Sequence, residues 1–356
     1  MTQDTEAAKS QEQDLYDFLR EQIEHFPDRS ARHLFQNKAN VEALVKMLAA
    51  DLAARIDFQH LVAANRNLIP ETLREQQADI LFSVPFSSQD SSETLLIYIL
   101  IEHQSTVDET MGFRVLFYMM LIWDAHRREW QTRNVPKNER KFPPILPIVF
   151  YTGDRRWETP LTLESVMNIP EELSRFVPRF DMLFLGVKSA AVETLTRTGD
   201  PLGWLLTVLQ NERADKASLS RALVDAVARL EGLERSEGEQ GREWLVYLLM
   251  LILHRRPAEE HDELIRLVEQ HTSNKEVSTM AQTMAEVLLE RGIEQGARET
   301  TIENTLSVLT ARFPHADVNA LKPMLEAIAD LNRLKQLNLN ASLARSFQAF
   351  QHKLEA

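Results

Sequence analysis

Three oxygen-bearing side chains have the types and spacing for chemistry: Asp79, Glu102 and Gln104. Asp79 lies near the start of the segment ADILFSVPF (78–86), and Glu102 and Gln104 lie near the end of LLIYILIEHQST (95–106). Glu102 and Gln104 are two apart, so an extended chain points both side chains to one face. His103, between them, points to the other face and suits a packed or surface role. Two carboxylates brought together at a sheet edge repel each other unless a cation sits between them. Oxygen-only donors suit a hard ion such as Mg²⁺. Such an ion makes a nucleophile of water and neutralises the charge that builds on a phosphoryl centre. On spacing alone, a pair of solvated surface carboxylates has the same appearance.

The elements that must position these groups are legible. Seven of the eight residues from Leu95 to Glu102 are apolar or aromatic, as in a strand buried on both faces. ADILFSVPF alternates, SSQDSSE (87–93) has turn chemistry, and the pair predicts an antiparallel hairpin. In such a hairpin the start of the first strand lies beside the end of the second. Residues 108–130 predict a long amphipathic helix carrying Trp123 and Trp130. PPILPIVFYTG (143–153) predicts a strand with its prolines at the start, and DMLFLGV (181–187) predicts another. Earlier in the chain, 1–13 suit a disordered tail and 14–26 a helix; Asn40 is the expected cap of a helix running to Leu52. From about residue 189 the pattern is helical, over 200–212, 216–233, 241–254, 258–270, 276–299, 301–312, 317–328 and 341–354. The acidic stretch EGLERSEGEQG (231–241) suits a linker. Residues 241–254 are apolar almost all round, so that helix must be buried on most sides.

Composition narrows the classes. The 356 residues include no cysteine, which excludes disulfides, thiolate zinc sites and a cysteine nucleophile. The polar, acidic start has no signal-peptide pattern and no apolar run is long enough to span a bilayer, so a cytoplasmic protein with no membrane partner is expected. Net charge is −13, which argues against a general coat of nucleic-acid-binding charge. The exception is local: Arg127, Arg128, Arg133, Lys137, Arg140 and Lys141, followed by Arg155 and Arg156, is where contact with a polyanion belongs.

Four blocks carry a resemblance: DLAARIDFQHLV (51–62), ETLREQQADILFSV (71–84), LLIYILIEHQSTVDETMGFRVLFYMMLIWDAH (95–126) and PPILPIVFYTGDRRW (143–157). In order and spacing they resemble the recombination-promoting nuclease family, also called YhgA-like transposases, of the PD-(D/E)XK nuclease superfamily. The resemblance implies an α/β fold: a restriction-endonuclease-like core with a mixed β-sheet flanked by helices, then an all-helical C-terminal region. It implies a domain at 14–190, a helical region at 191–300 and a small helical domain at 301–356. It implies a Mg²⁺-dependent DNA endonuclease with Asp79 and Glu102 as metal ligands and Gln104 in the place of the superfamily's lysine. Asp28, in PDR (27–29), matches an accessory acid whose usual histidine neighbour is missing; a plain helix cap is the alternative. DNA is the implied partner, tracked by the basic positions from Arg127 to Arg156. A catalytically inactive nuclease fold serving in DNA binding or protein interaction is the rival reading, favoured by Gln104 and the acidic balance. The amphipathic pattern from 276 to 312 suits a homodimer formed through the helical half.

Overall fold

The computed structural model describes residues 34–64, 80–87, 92–102, 107–237, 239–272 and 277–355. Asp28, Asp79, His103 and Gln104, the 1–13 tail and the 14–26 helix lie outside the described residues. The described residues fall into two compact units, divided between Ala281 and Gln282.

The first unit is α/β. Its sheet has five strands in the order β1-β2-β3-β4-β5: Val62–Ala63, Ile80–Ser87, Ser92–Glu102, Ile145–Tyr151 and Leu183–Gly186. The first two pairings are antiparallel and the last two parallel, so the sheet is mixed. The hairpin predicted from sequence is β2–β3. Edge strand β1 escaped notice because two residues carry no periodicity.

Leu95 to Ile101 are all buried, because β3 is covered on both faces. One face packs on helix α2 (Met111–Thr132), whose Met111, Val115, Tyr118 and Ile122 join Leu96, Tyr98, Leu100 and Val149 in one core. On the other side of the sheet, Phe35 meets Phe150 edge to face at 4.9 Å, just before helix α1 (Lys38–Leu48). The cap of α1 is Asn37, whose side chain accepts from Ala39 N, rather than Asn40. Asn40 is already helical and buried, and its Nδ2 donates to Leu34 O.

Prolines Pro143 and Pro144 precede β4, but Pro147 is its third residue, against the expectation that prolines keep to the start. The exception has a cause. Strand β5 begins opposite Ile148, so Pro147 lies beyond the β4–β5 pairing, where a missing N–H breaks no ladder with β5.

After β5 the chain is helical: α3 (Pro201–Asn211), α4 (Lys216–Glu237), α5 (Glu239–Arg255), α6 (Ala258–Gln270) and α7 (Val277–Arg312). Trp244 to Leu253 are all buried, and α5 packs on α3, α4 and α6 of its own chain. The 231–241 stretch is helical on both sides of Gly238 rather than an extended linker. An ion cluster ties the strands to these helices. Glu212, buried after α3, takes Lys188 at 3.1 Å and Arg255 at 3.4 Å. Lys188 also donates to Leu209 O, occupying a carbonyl at the α3 C-terminus.

The stretches expected as two helices, 276–299 and 301–312, are one helix over the described residues 277–312, α7, most of which belongs to the second unit. Within it Thr301 donates to Ala297 O and Thr305 to Thr301 O, so both hydroxyls are satisfied inside the helix, while Ile302 and Leu309 join an apolar core with the elements that follow. In place of one helix over 317–328 there are short turns at Asn319–Leu321 and Lys322–Glu326. In place of one over 341–354 there are α8 (Leu331–Leu343), capped by Asp330, and α9 (Phe347–Glu355). Ala344 between them is extended, and Arg312 donates to Ala341 O and Ala344 O.

Candidate functional site

The C-terminal ends of β3 and β4 lie side by side. Glu102, the last residue of β3, pairs in register with Tyr151, the last residue of β4. The description of Glu102 is confined to its backbone. Ile80, which follows Asp79 in sequence, pairs with Ile99, three residues before Glu102. Parallel strands present their carboxyl ends to one edge, the usual location of ligand sites in such sheets.

Tyr151 is buried, with Trp157 edge to face at 5.0 Å and Phe184 at 6.5 Å. It therefore packs within an aromatic cluster at the tip of β4. Gly153 follows, also buried.

Helix α2 starts close to this edge in sequence, and its first turn is built around Asp108. One oxygen of Asp108 accepts from Thr110 N at 2.8 Å and from the Thr110 hydroxyl at 2.7 Å, and the other takes Arg114 at 3.2 Å. Burial opposes the charge on Asp108, but these bonds outweigh it and hold the carboxyl below its ordinary range. Gly112 is required here, since a Cβ would come within 2.7 Å of the Thr162 carbonyl carbon. Arg114 is the functional candidate that sequence reasoning missed. It was visible only as the arginine of the quoted FRVLFYM helix, and nothing in helix periodicity separates it from a surface residue.

All eight basic candidates are exposed, but they are not together. Arg155 and Arg156 follow β4 and sit at the Glu102 end of the sheet. Arg127 to Lys141 occupy the far end of α2 and the segment leading into β4. Trp123 fastens that segment by donating to Pro143 O at 2.9 Å, and Trp130 packs on Phe142 at 4.7 Å. The two ends are separated by the β3–β4 register from Leu96 to Glu102, roughly 20 Å of strand.

Some of the positive charge is already answered. Asp124 pairs with both Arg127 (2.7 Å) and Arg128 (3.2 Å), and Arg133 lies 3.6 Å from Glu129. At the other end Asp154 is taken by Arg213 at 2.6 Å. Among the described residues, neither Arg155 nor Arg156 has a carboxylate partner.

Among the described residues no three His, Asp or Glu side chains cluster to hold a metal ion. No described helix is long and apolar enough to cross a membrane.

Comparison with known proteins decides the family. The model of the family described as "Putative transposase, YhgA-like" matches residues 25–238, more than half of the chain. The chain belongs to this family. Among curated relatives, the recombination-promoting nuclease RpnD of Escherichia coli O157:H7 is 32% identical over 108 residues, 30% of this chain and 37% of that protein. Recombination-promoting nuclease RpnC of Escherichia coli (strain K12) is 27% identical over 107 residues, 30% of this chain and 32% of that protein. The inactive recombination-promoting nuclease-like protein RpnE of the same strain is 31% identical over 98 residues, 28% of this chain and 29% of that protein. The matches span about a third of the length of these relatives. No solved structure has significant similarity to the chain. The curated relatives thus include proteins named as nucleases and proteins named as inactive.

Proposed function

We propose that the chain is a divalent-metal-dependent DNA endonuclease with a PD-(D/E)XK core, acting at the shared carboxyl end of β3 and β4. The observation that carries this reading is the register. Glu102 ends β3 beside the end of β4, and the residue after Asp79 pairs with β3 three positions away. Strand ends hold ligand geometry better than loops do.

In this reading Asp79 and Glu102 hold Mg²⁺, whose preference for one or two carboxylates plus water fits an oxygen-only pair. The bound ion would supply Lewis-acid stabilisation and a more acidic water. Gln104 orients the attacking water or a phosphate oxygen by hydrogen bonding. An amide brings no positive charge, so help for the developing charge falls to Arg114, Arg155 and Arg156, with Arg114 shared with Asp108. Asp28 serves as an accessory acid. DNA is the substrate and the cytoplasm the place of action.

The rival is a nuclease fold without activity that binds DNA or protein. It is favoured by Gln104 standing where the superfamily has lysine and by relatives named as inactive.

The deciding experiment is cleavage of supercoiled plasmid by the purified chain with Mg²⁺ and with EDTA. Metal-dependent nicking or cutting that is lost in both Asp79→Asn and Glu102→Gln supports the proposal. Folded variants that cut as well as the parent would show that the site is misassigned, and an inert parent would favour the rival.

A further inference from the structure

A cavity of about 520 Å³ lies between edge strand β1 and the C-terminal half of α2, away from the Glu102 end of the sheet. Val62 to Ala64 and Val135 provide apolar wall, and Ser83, His126, Glu129, Trp130 and Arg133 provide the chemistry. Trp130 packs on Phe142. Nε2 of His126 is buried without a hydrogen-bond partner, although buried polar groups are nearly always satisfied. Glu129, 21% exposed, lies 3.6 Å from Arg133, whose own side chain is 65% exposed.

We propose that this cavity binds a single unpaired nucleobase bearing an exocyclic amino group, stacked on Trp130, with its amino edge on Glu129 and its phosphate on Arg133. Each group matches one part of such a ligand. An indole face stacks on any base, and that contact is tolerant of sequence. A carboxylate accepts from an exocyclic amino group and repels a carbonyl, which separates cytosine from thymine. Arg133, at the exposed rim, is where a charged phosphate stays in contact with water. A simple anion is a poor occupant of a cavity lined by Glu129, and a purely apolar one would offer that carboxylate no donor in exchange for water.

The nucleic-acid reading above motivates the choice of ligand, and the base has two sources: a free nucleotide or an unpaired position in a strand. The test titrates the full chain in EDTA with dCMP and dTMP, and with single-stranded ten-residue oligo(dC) and oligo(dT). Calorimetry and tryptophan fluorescence follow binding. The cytosine ligand should bind about tenfold or more tightly than the thymine one, the discrimination typical of a good base-edge contact. Glu129→Gln should abolish the preference and Trp130→Ala should weaken both ligands, with thermal melts confirming that the variants fold. Glu129→Ala, which should likewise lose the preference, probes the same edge should Glu129→Gln fail to fold. A preference seen with nucleotides places the ligand among free nucleotides; one seen only with oligomers places it in a strand. Equal binding, no binding in either arm, or a preference that survives Glu129→Gln overturns the proposal. Because EDTA removes cleavage from the measurement, an inert nuclease site would not alter the result.

Discussion

Glu102 and Tyr151 are register partners at the carboxyl ends of two parallel neighbours. Everything that follows either strand leaves from the same edge, which is why Asp108 and Arg156 are separated in sequence yet belong to one end of the sheet. By the same geometry, α2 must carry the chain back to the start of β4, so Arg127 to Lys141 belong to the opposite end. A duplex is wide enough to meet both, but the two basic groups must do different work.

That division predicts two phenotypes. Neutralising Lys137, Arg140 and Lys141 together should weaken DNA binding and lower the salt slope by up to about three, at roughly 0.9 per phosphate contact. Neutralising Arg155 and Arg156 should also reduce cleavage at saturating DNA. Binding isotherms across salt, alongside single-turnover cutting, separate the two. A wild-type slope near zero would remove phosphate tracking.

Gln104 is the second test. If it only orients water or phosphate, Gln104→Lys should keep or raise the cutting rate, since a cation would then stand beside developing charge. Gln104→Ala should lower it. Plasmid nicking rates decide, and loss of activity in a folded lysine variant would mean that the amide has another task.

The Lys188–Glu212–Arg255 cluster makes a stability prediction. Glu212→Ala leaves two cations without their carboxylate in a largely buried setting. The cost should be on the order of 3 kcal/mol, read as a shift in the denaturant midpoint at unchanged slope. A change within a few tenths of a kcal/mol would show that water reaches the site.

His126 makes a prediction about acid. Burial, aided by Arg133 and opposed by Glu129, holds its imidazole below the ordinary 6.5. The unfolded chain therefore binds its proton at higher pH than the folded chain. Stability should fall as the pH drops through about 6.5, with the loss complete below the folded value. In His126→Gln that part of the pH dependence should vanish from denaturation curves taken between pH 7 and about 5.

Truncation tests the organisation and the proposed homodimer. A chain ending near 190 loses α3, which packs on α1 and on the turn Val187–Ser189, and should not fold stably. A chain ending at Ala281 keeps the whole first unit and should fold. With α5 buried within its own chain, a dimer seam in the helical half falls to α7, where Leu289 and Ile293 are about two-thirds exposed. Sedimentation equilibrium should give a dimeric full-length chain that becomes monomeric in Ile293→Lys; a monomeric parent would remove the dimer.

The sequence by itself determined the hairpin, strands β4 and β5 and the succession of helices from α3 to α6, because each rests on local periodicity. It also determined the family, through four ordered blocks. The tertiary structure decided what periodicity does not encode. Pro147 is tolerated within β4 because a neighbouring strand stops short of it. Residues 277–312 are one helix, whose Ile302 and Leu309 are buried in a core with the elements that follow, while 341–354 breaks at Ala344. Above all, which charges share an end of the sheet follows from strand direction. The run from Arg127 to Arg156 looks like one basic region in sequence, but a parallel crossover divides it, since a strand that must run beside its predecessor has first to be carried back to the other edge.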